Sequence, residues 1–546
     1  MKSKKITALI MAAVIVLSGC SAQGQGTQGL DTQDQDVQGQ DTKGQSAGKL
    51  QVSGRSTEIV LKGDSASCAS NAVSISGSVI TIKDEGTYIV SGKLDDGMII
   101  VDADKEEDDV TILLNGADIT SSNCAAIYVR TAKNVDVVTA AGSENYLANG
   151  GAYEAIDDNN IDSVIFSKDD LFLKGEGTLT ITAAAGHGVV SKDDLKLKSG
   201  TYVITAAHHG LTGNDSIQVE GGTYTVNSGV DAFHSNAYMT IEGGTFTVEA
   251  GDDAFHADET LSVTGGEINV TKSYEGLEGL AVEISGGIIR VKASDDGINA
   301  AGGADGSGFG GPGGGFGGGD RFGPGGGFGG GGRGGFGGDR GGFGGDRGGF
   351  GGGVSDSGSS GGAETMAAAA GGTDSADCYI KISGGYVEVD AGGDGLDSNG
   401  SIEISGGEIY VSGSIDNANS AIDYDRNGTI SGGIVIAAGA SGMAQNFGTD
   451  STQGSIMLNV GNQSAGTIQI TDQSGNVLAG FETAKSYSTV VISCGDLRVG
   501  ESYTITAGTY SETITLDSLI YNVGGGGSFG LGPGGRMREP LQNGRN

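Results

Sequence analysis

His187, His209, Asp231, Asp253 and Glu275 follow one another at intervals of 22 residues, and Asp296 and Asp394 continue the series. A second series lies three residues further on, at His234, His256, Glu278, Asn299, Asp397 and Asp423. All five histidines of the chain fall in this stretch, His208 being the fifth. Carboxylates and carboxamides are hard oxygen ligands suited to calcium, whereas imidazole suits a softer metal. The same groups also serve as general acids and bases. The tetrapeptide DAFH occurs twice, as Asp231–His234 and Asp253–His256. Repetition is also what a structural turn produces, since Asp, Asn and His cap turns through backbone hydrogen bonds.

The spacing belongs to the elements that hold these residues. Glycine pairs recur at Gly221-Gly222, Gly243-Gly244, Gly265-Gly266, Gly286-Gly287, Gly384-Gly385, Gly406-Gly407 and Gly432-Gly433. Each unit reads as strand, Gly-Gly turn, strand, acidic turn and short strand. A period of about 22 residues with three short strands predicts one coil of a parallel β-helix, since a propeller blade needs about 40–45 residues. Alternation after each Gly pair turns Tyr224, Phe246, Ile268 and Ile289 inward and Thr223, Thr245 and Glu267 outward. Outward Tyr386 and Tyr410 become candidate sugar platforms. Between the two chemical series lies an apolar one: Val189, Leu211, Phe233, Phe255, Leu277, Ile298, Leu396 and Ile422.

Equivalent side chains in such a stack stand about 4.8 Å apart. Two carboxylates at that distance repel by roughly 3.5 kcal/mol at an effective dielectric of 20. Protonation, solvent screening or a cation between coils relieves this. Calcium, with bonds of about 2.3–2.6 Å to oxygen, fits the last role. The oxygen-rich stretch supplies its candidate ligands: Glu275, Glu278, Asp296, Asn299, Asp394, Asp397, Asp423 and Asp425. Asp231, His234, Asp253 and His256 are read first as structural turns and second as ligands of a softer metal.

The 546-residue chain has 107 Gly, 4 Pro, no Trp and a net charge of −37. Many Val, Ile and Thr with few helix formers make it all-β. Such acidity opposes binding to nucleic acid or to an anionic membrane surface. Lys2, Lys4 and Lys5, the apolar run Ile6–Leu17 and "LSGC" at 17–20 read as a lipoprotein signal over 1–19, with Cys20 lipidated. Cleavage removes three lysines and no acid, taking the net charge to −40. A flexible tether is expected over 20–56 and solenoid coils over 57–301. A Gly-rich disordered insertion follows over 302–376, then the last coils over 377–447. A C-terminal β cap, which solenoids need, is expected over 448–523 and a Gly-rich tail over 524–546. Cys68, Cys124, Cys378 and Cys494 fit no zinc spacing and read as small buried filler, their disulfide state left open.

Catalysis has weaker support. Polygalacturonases on parallel β-helices carry NTD, DD, GHG and RIK in that order. Here GHG (186–188) precedes GDD (251–253), RVK (290–292) follows, and NTD is missing. The fragments fall on the repeat series, which accounts for them without chemistry. Inverting hydrolysis also needs carboxyls about 6.5–9.5 Å apart, wider than adjacent coils. A calcium-assisted lyase needs a basic proton abstractor, for which Arg290 and Lys292 are candidates without distinction.

The stretches FSKDDLFLKGEGTLTIT (166–182), SKDDLKLKSGTYVITAA (191–207), SYEGLEG (273–279), ASDDGINAAGG (293–303), GDGLDSNGSIEISGG (393–407), AIDYD (421–425) and SGMAQNF (441–447) occur in this order. Together they resemble the carbohydrate-binding parallel β-helix family of secreted clostridial proteins, over about residues 57–519. The resemblance implies a right-handed, pectate-lyase-like β-helix that binds calcium, cellulose and acidic sugars such as polygalacturonate, without established lyase activity. The family's D-G-I is replaced here by DAFH in two coils, which leaves metal binding there in question. The expectation is a monomeric, cell-surface, lipid-anchored protein that holds plant cell-wall polysaccharide through calcium between outward protein carboxylates and sugar carboxylates. A calcium-dependent pectin lyase or hydrolase and a purely structural or adhesive protein are the competing readings.

Overall fold

The computed structural model describes residues 56–301 and 378–523. The signal, Cys20, nearly all of the tether, the Gly-rich insertion and the Gly-rich tail lie outside the described residues. Among the described residues there is no helix, and the chain winds into a β-solenoid of about 12 turns.

Three parallel ladders run along the solenoid. In the first, Thr178–Ala183 pairs with Thr201–Ala206, then Thr223–Ser228, Thr245–Glu249, Glu267–Ser273, Ile288–Ala293, Tyr379–Ala391, Ser401–Ser412 and Ile434–Gly439. The stacking resumes in register across 302–377, for Ile298–Ala300 pairs directly with Leu396–Ser398. Neighbouring coils supply the ladder hydrogen bonds of each coil, so each short strand depends on the strands above and below it.

The Gly pairs meet two separate demands. A Cβ on Gly265 or Gly286 would lie 2.3 Å from a carbonyl oxygen of the preceding coil. The partners Gly266 and Gly287 have φ of 92° and 90°, where other residues are strained.

Inside, Tyr202, Tyr224 and Phe246 stack at centroid distances of 5.2 and 5.0 Å. Phe233 and Phe255 stack at 4.8 Å and meet Tyr224 and Phe246 edge-on. The inward assignment of Tyr224, Phe246, Ile268 and Ile289 agrees with their burial. Phe233→Ala opens a cavity in a stack that cannot collapse, and about 3–5 kcal/mol of local stability is expected to be lost. Amide exchange of Leu211–Gly213 and Phe255–Val263 measures it; unchanged protection would show that the stack carries no stability.

Both ends depart from the coil. Ser56–Gly63 pairs antiparallel with Ala66–Cys68, and Val73–Ser76 with Val79–Ile82, so the expected first coil is built from hairpins. At the other end Ile434–Gly439 pairs antiparallel with Tyr487–Ser493. A separate antiparallel sheet of Gly466–Thr471, Val477–Thr483, Ser502–Ala507 and Tyr510–Thr515 follows, with its own core around Ile470, Ile492 and Ile505. These antiparallel pairings cover strand edges that would otherwise invite another chain. Cys124, Cys378 and Cys494 are buried and Cys68 is half-buried.

Candidate metal and carbohydrate site

The second chemical series is one uninterrupted register of the short-strand ladder. His234 pairs with His256, and His256 with Glu278; Glu278 pairs with Asn299, Asn299 with Asp397, and Asp397 with Asp423. Upstream the same column holds Tyr128, Phe166, Val190 and Thr212. It therefore changes from apolar to imidazole to carboxylate along the solenoid. The first series is equally continuous, through amide hydrogen bonds onto the carbonyls of His209, Asp231, Asp253, Glu275, Asp296 and Asp394. The apolar position between the two turns inward at every coil, and it holds the flanking polar side chains in a common turn.

The ladder gathers its donors into separate groups. Ligand atoms of Asp253, Glu275 and Glu278 lie within 4.8 Å of one another, as do those of Asp394, Asp397 and Asp423. The residues of the first group are only 5, 1 and 2% exposed. This corrects the expectation of outward carboxylates: Glu275, Glu278 and Asn299 are buried, because the turn tucks beneath its neighbours instead of projecting from the sheet. Asn299 donates its amide to Glu275 at 2.9 Å. Asp253 Oδ1 and Glu278 Oε1 are buried with no hydrogen-bond partner. Two such oxygens in a three-carboxylate cluster fit a cation that prefers oxygen.

His256 already brings positive charge to this group. Its Nδ1 faces Asp253 Oδ2 at 3.0 Å and also Glu278 Oε2, and its Nε2 faces Asp258 Oδ1 at 3.0 Å. Burial opposes its charge, but hydrogen bonds to the three carboxylates outweigh this and hold the ring protonated well above neutral pH. Asp258 stands where Asn236 stands one coil earlier, at 3.0 Å from His234 Nε2, so this contact belongs to the repeated turn.

The Asp394, Asp397 and Asp423 group is half-buried, beside exposed Asp425, which stands apart from the cluster. Asp394 accepts the Ser420 amide and Asp423 the Gln445 side chain. Asp296 accepts the Asp394 amide at 2.5 Å. Burial first, and neighbouring carboxylates after it, push Asp296 up to about 8, Asp397 to about 7 and Asp394 to about 6. Partial protonation thus relieves the like-charge column when no cation is bound. A cavity of about 350 Å³, lined by Ala391, Gly392, Ile415, Lys485 and Ser486, shares Gly392 with the turn that carries Asp394. Lys485 is tied to Asp390 at 2.6 Å and to the Ala391 carbonyl.

The two tyrosine platforms have different fates. Tyr386 is half-buried, lies under the Arg290 guanidinium at 5.3 Å and donates to Glu388. Tyr410 is stacked by Phe481 of the C-terminal cap at 5.3 Å, so that ring face is taken and Tyr410 is not the open platform expected of it. Arg290 also pairs with Glu267 and Glu388. GHG is turn geometry, for a Cβ on Gly186 or Gly188 would lie 2.0 or 2.5 Å from a backbone carbonyl.

Sequence reasoning overlooked Asn236 and Asp258, which contact the ladder, and Asn214, which accepts from Asn236. They too are 22 residues apart, a signal the glycine alignment contained.

Residues 76–308 match the family described as carbohydrate-binding domain-containing protein. A carbohydrate-binding domain-containing protein of Acetivibrio thermocellus is 34% identical over 165 residues, 29% of this chain. The chain spans 57% of that relative's length. A solved polysaccharide lyase-like protein from C. thermocellum, a gadolinium derivative, has a TM-score of 0.38 and 28% identity, covering 45% of this chain and 96% of that one. The similarity to the carbohydrate-binding domain-containing family thus extends over residues 76–308, which hold the histidine and glutamate turns of the ladder.

Proposed function

We propose that this chain is a cell-surface lipoprotein, anchored through Cys20, whose solenoid binds plant cell-wall polysaccharide. The preferred ligand is an acidic polymer such as polygalacturonate, with cellulose as a further one. We take the coil as right-handed, following the rule for parallel crossovers, and the protein as a monomer. Calcium is the cofactor, in two roles. Ions at Asp253, Glu275 and Glu278 are buried and structural. An ion at Asp394, Asp397 and Asp423 is close enough to solvent to share its shell with a sugar carboxylate, with Asp425 beside it. Tyr386 offers an apolar edge near the same coils.

The half-buried triple-carboxylate turn carries this reading. A chain with a net charge of −37 holds a polyanion only through cations, and here donors converge at a reachable place. The protein is read as a binder and not as an enzyme.

Polygalacturonate pull-down of the full chain tests it. Retention is expected with calcium, loss with chelator and recovery when calcium returns. Chelator-resistant retention would rule out bridging. Appearance of unsaturated or reducing ends would make the protein an enzyme, and failure to retain any glycan would leave a structural surface protein.

A further inference from the structure

The imidazole part of the ladder has a chemistry of its own. His209 Nδ1 and His234 Nδ1 both face one atom, Asp231 Oδ2, at 3.1 and 2.8 Å. The two rings stack at 4.5 Å. Asp231 is buried, while the rings are about one fifth exposed.

Hydrogen bonds fix which nitrogen carries the lone pair. Asp215, which only accepts when ionised, receives the Asn214 amide at 3.2 Å. Asn214 Oδ1 therefore receives the Asn236 amide at 2.8 Å. Asn236 Oδ1 then points at His234 Nε2, 3.0 Å away, and requires an N–H there. In the neutral ring this leaves the lone pair on Nδ1, facing Asp231. His209 Nδ1 accepts the Asp231 backbone N–H at 3.3 Å, so it too is unprotonated, beside the same carboxylate. In the neutral rings both nitrogens and the carboxylate oxygen thus converge without a hydrogen between them, and only the long amide contact to His209 Nδ1 offsets their repulsion. One proton on His234 would satisfy one contact; a single cation satisfies both.

We propose a first-row transition-metal site, separate from the calcium turns, in which His209 Nδ1, His234 Nδ1 and the Asp231 carboxylate bind an ion of the zinc, cobalt or nickel class. In a tetrahedral site with bonds of about 2.0–2.1 Å, donors stand about 3.3 Å apart, so a spread of a few tenths of an ångström admits the ion. Two nitrogens and one oxygen favour such a metal over calcium. The exposed ring edges leave a fourth position for water or a ligand oxygen. Asn236 is a positioning residue, holding the tautomer as outer-shell partners of metal-bound histidines do. His256, one coil on, serves differently, since both its nitrogens face carboxylates.

The test uses the full chain, stripped of metal, with its thiols alkylated and calcium in excess, titrated with Co²⁺ and followed by visible absorption. One Co²⁺ per chain is expected, displaced by Zn²⁺ and not by calcium. His234→Gln and Asp231→Asn should each weaken binding at least tenfold. Asn236→Ala should weaken it about tenfold without removing a ligand, and Asp397→Asn should leave it unchanged. Circular dichroism establishes that each variant is folded. Absence of Co²⁺ binding, displacement by calcium, or affinity insensitive to both His234→Gln and Asn236→Ala would overturn the site. The proposal does not depend on sugar binding.

Discussion

His256→Ala is expected to destabilise the metal-free solenoid by about 3–5 kcal/mol, the range for removing one partner from a buried ion pair. The ring stands between Asp253, Asp258 and Glu278, and Asp253 and Glu278 are 5 and 2% exposed. Without it, the buried Asp253 and Glu278 lose their counter-ion. Solenoid stability is a sum of coil and nearest-neighbour terms, so the loss should be local. Amide exchange of Phe233–Ser235 and Leu277–Ile284 is the suitable readout. Calcium should recover much of the loss, since a cation among Asp253, Glu275 and Glu278 takes over the imidazolium's place. A variant as protected as the parent in chelator would show that the ring does not carry the neutralising charge.

The second large effect concerns pH. In chelator, the chain should lose stability as pH rises from about 4 through the elevated values of Asp394, Asp397 and Asp296, about 6, 7 and 8. The sign follows from linkage. These carboxyls bind protons more tightly folded than unfolded, so their contribution is complete below the unfolded value and disappears above the folded ones. Burial, the leading cause, favours the neutral acid, and neighbouring carboxylates add to it. Calcium binding requires the ionised form, so the stabilisation by calcium should grow over the same interval. Thermal unfolding across this pH range, with chelator and with calcium, measures both. A calcium effect independent of pH would mean that these carboxyls are not its ligands. Asp394→Asn with Asp397→Asn should flatten both curves, while changes at the outer-face Lys292 should not.

Much of the ladder was legible beforehand because a solenoid turns sequence period into spatial register. Residues 22 apart are vertical neighbours, so the series His234, His256, Glu278, Asn299, Asp397 and Asp423 could be written down from the glycine pairs. The burial of Tyr224 and Phe246 followed from alternation alone. The accessibility of the carboxylates did not. Alternation assigns faces within a strand, but a turn has no such rule, and Glu275 and Glu278 proved buried where outward groups were expected. A cap was expected over 448–523, but periodicity did not indicate that its Phe481, from a segment outside the repeat, covers Tyr410.

The sequence by itself determined the all-β class, the coil length, the interior stacks and the order of donors from imidazole to carboxylate. Each is a consequence of local pattern repeated at a constant period. Only the tertiary structure decided which donors meet and what state they are in. The approach of Glu278 to His256 depends on side chains from adjacent coils closing on one another. So does the chain from Asp215 to His234 that fixes a tautomer. The difference between one column of acids and distinct sites for two classes of metal arises from burial and hydrogen-bond direction, which a one-dimensional repeat does not encode.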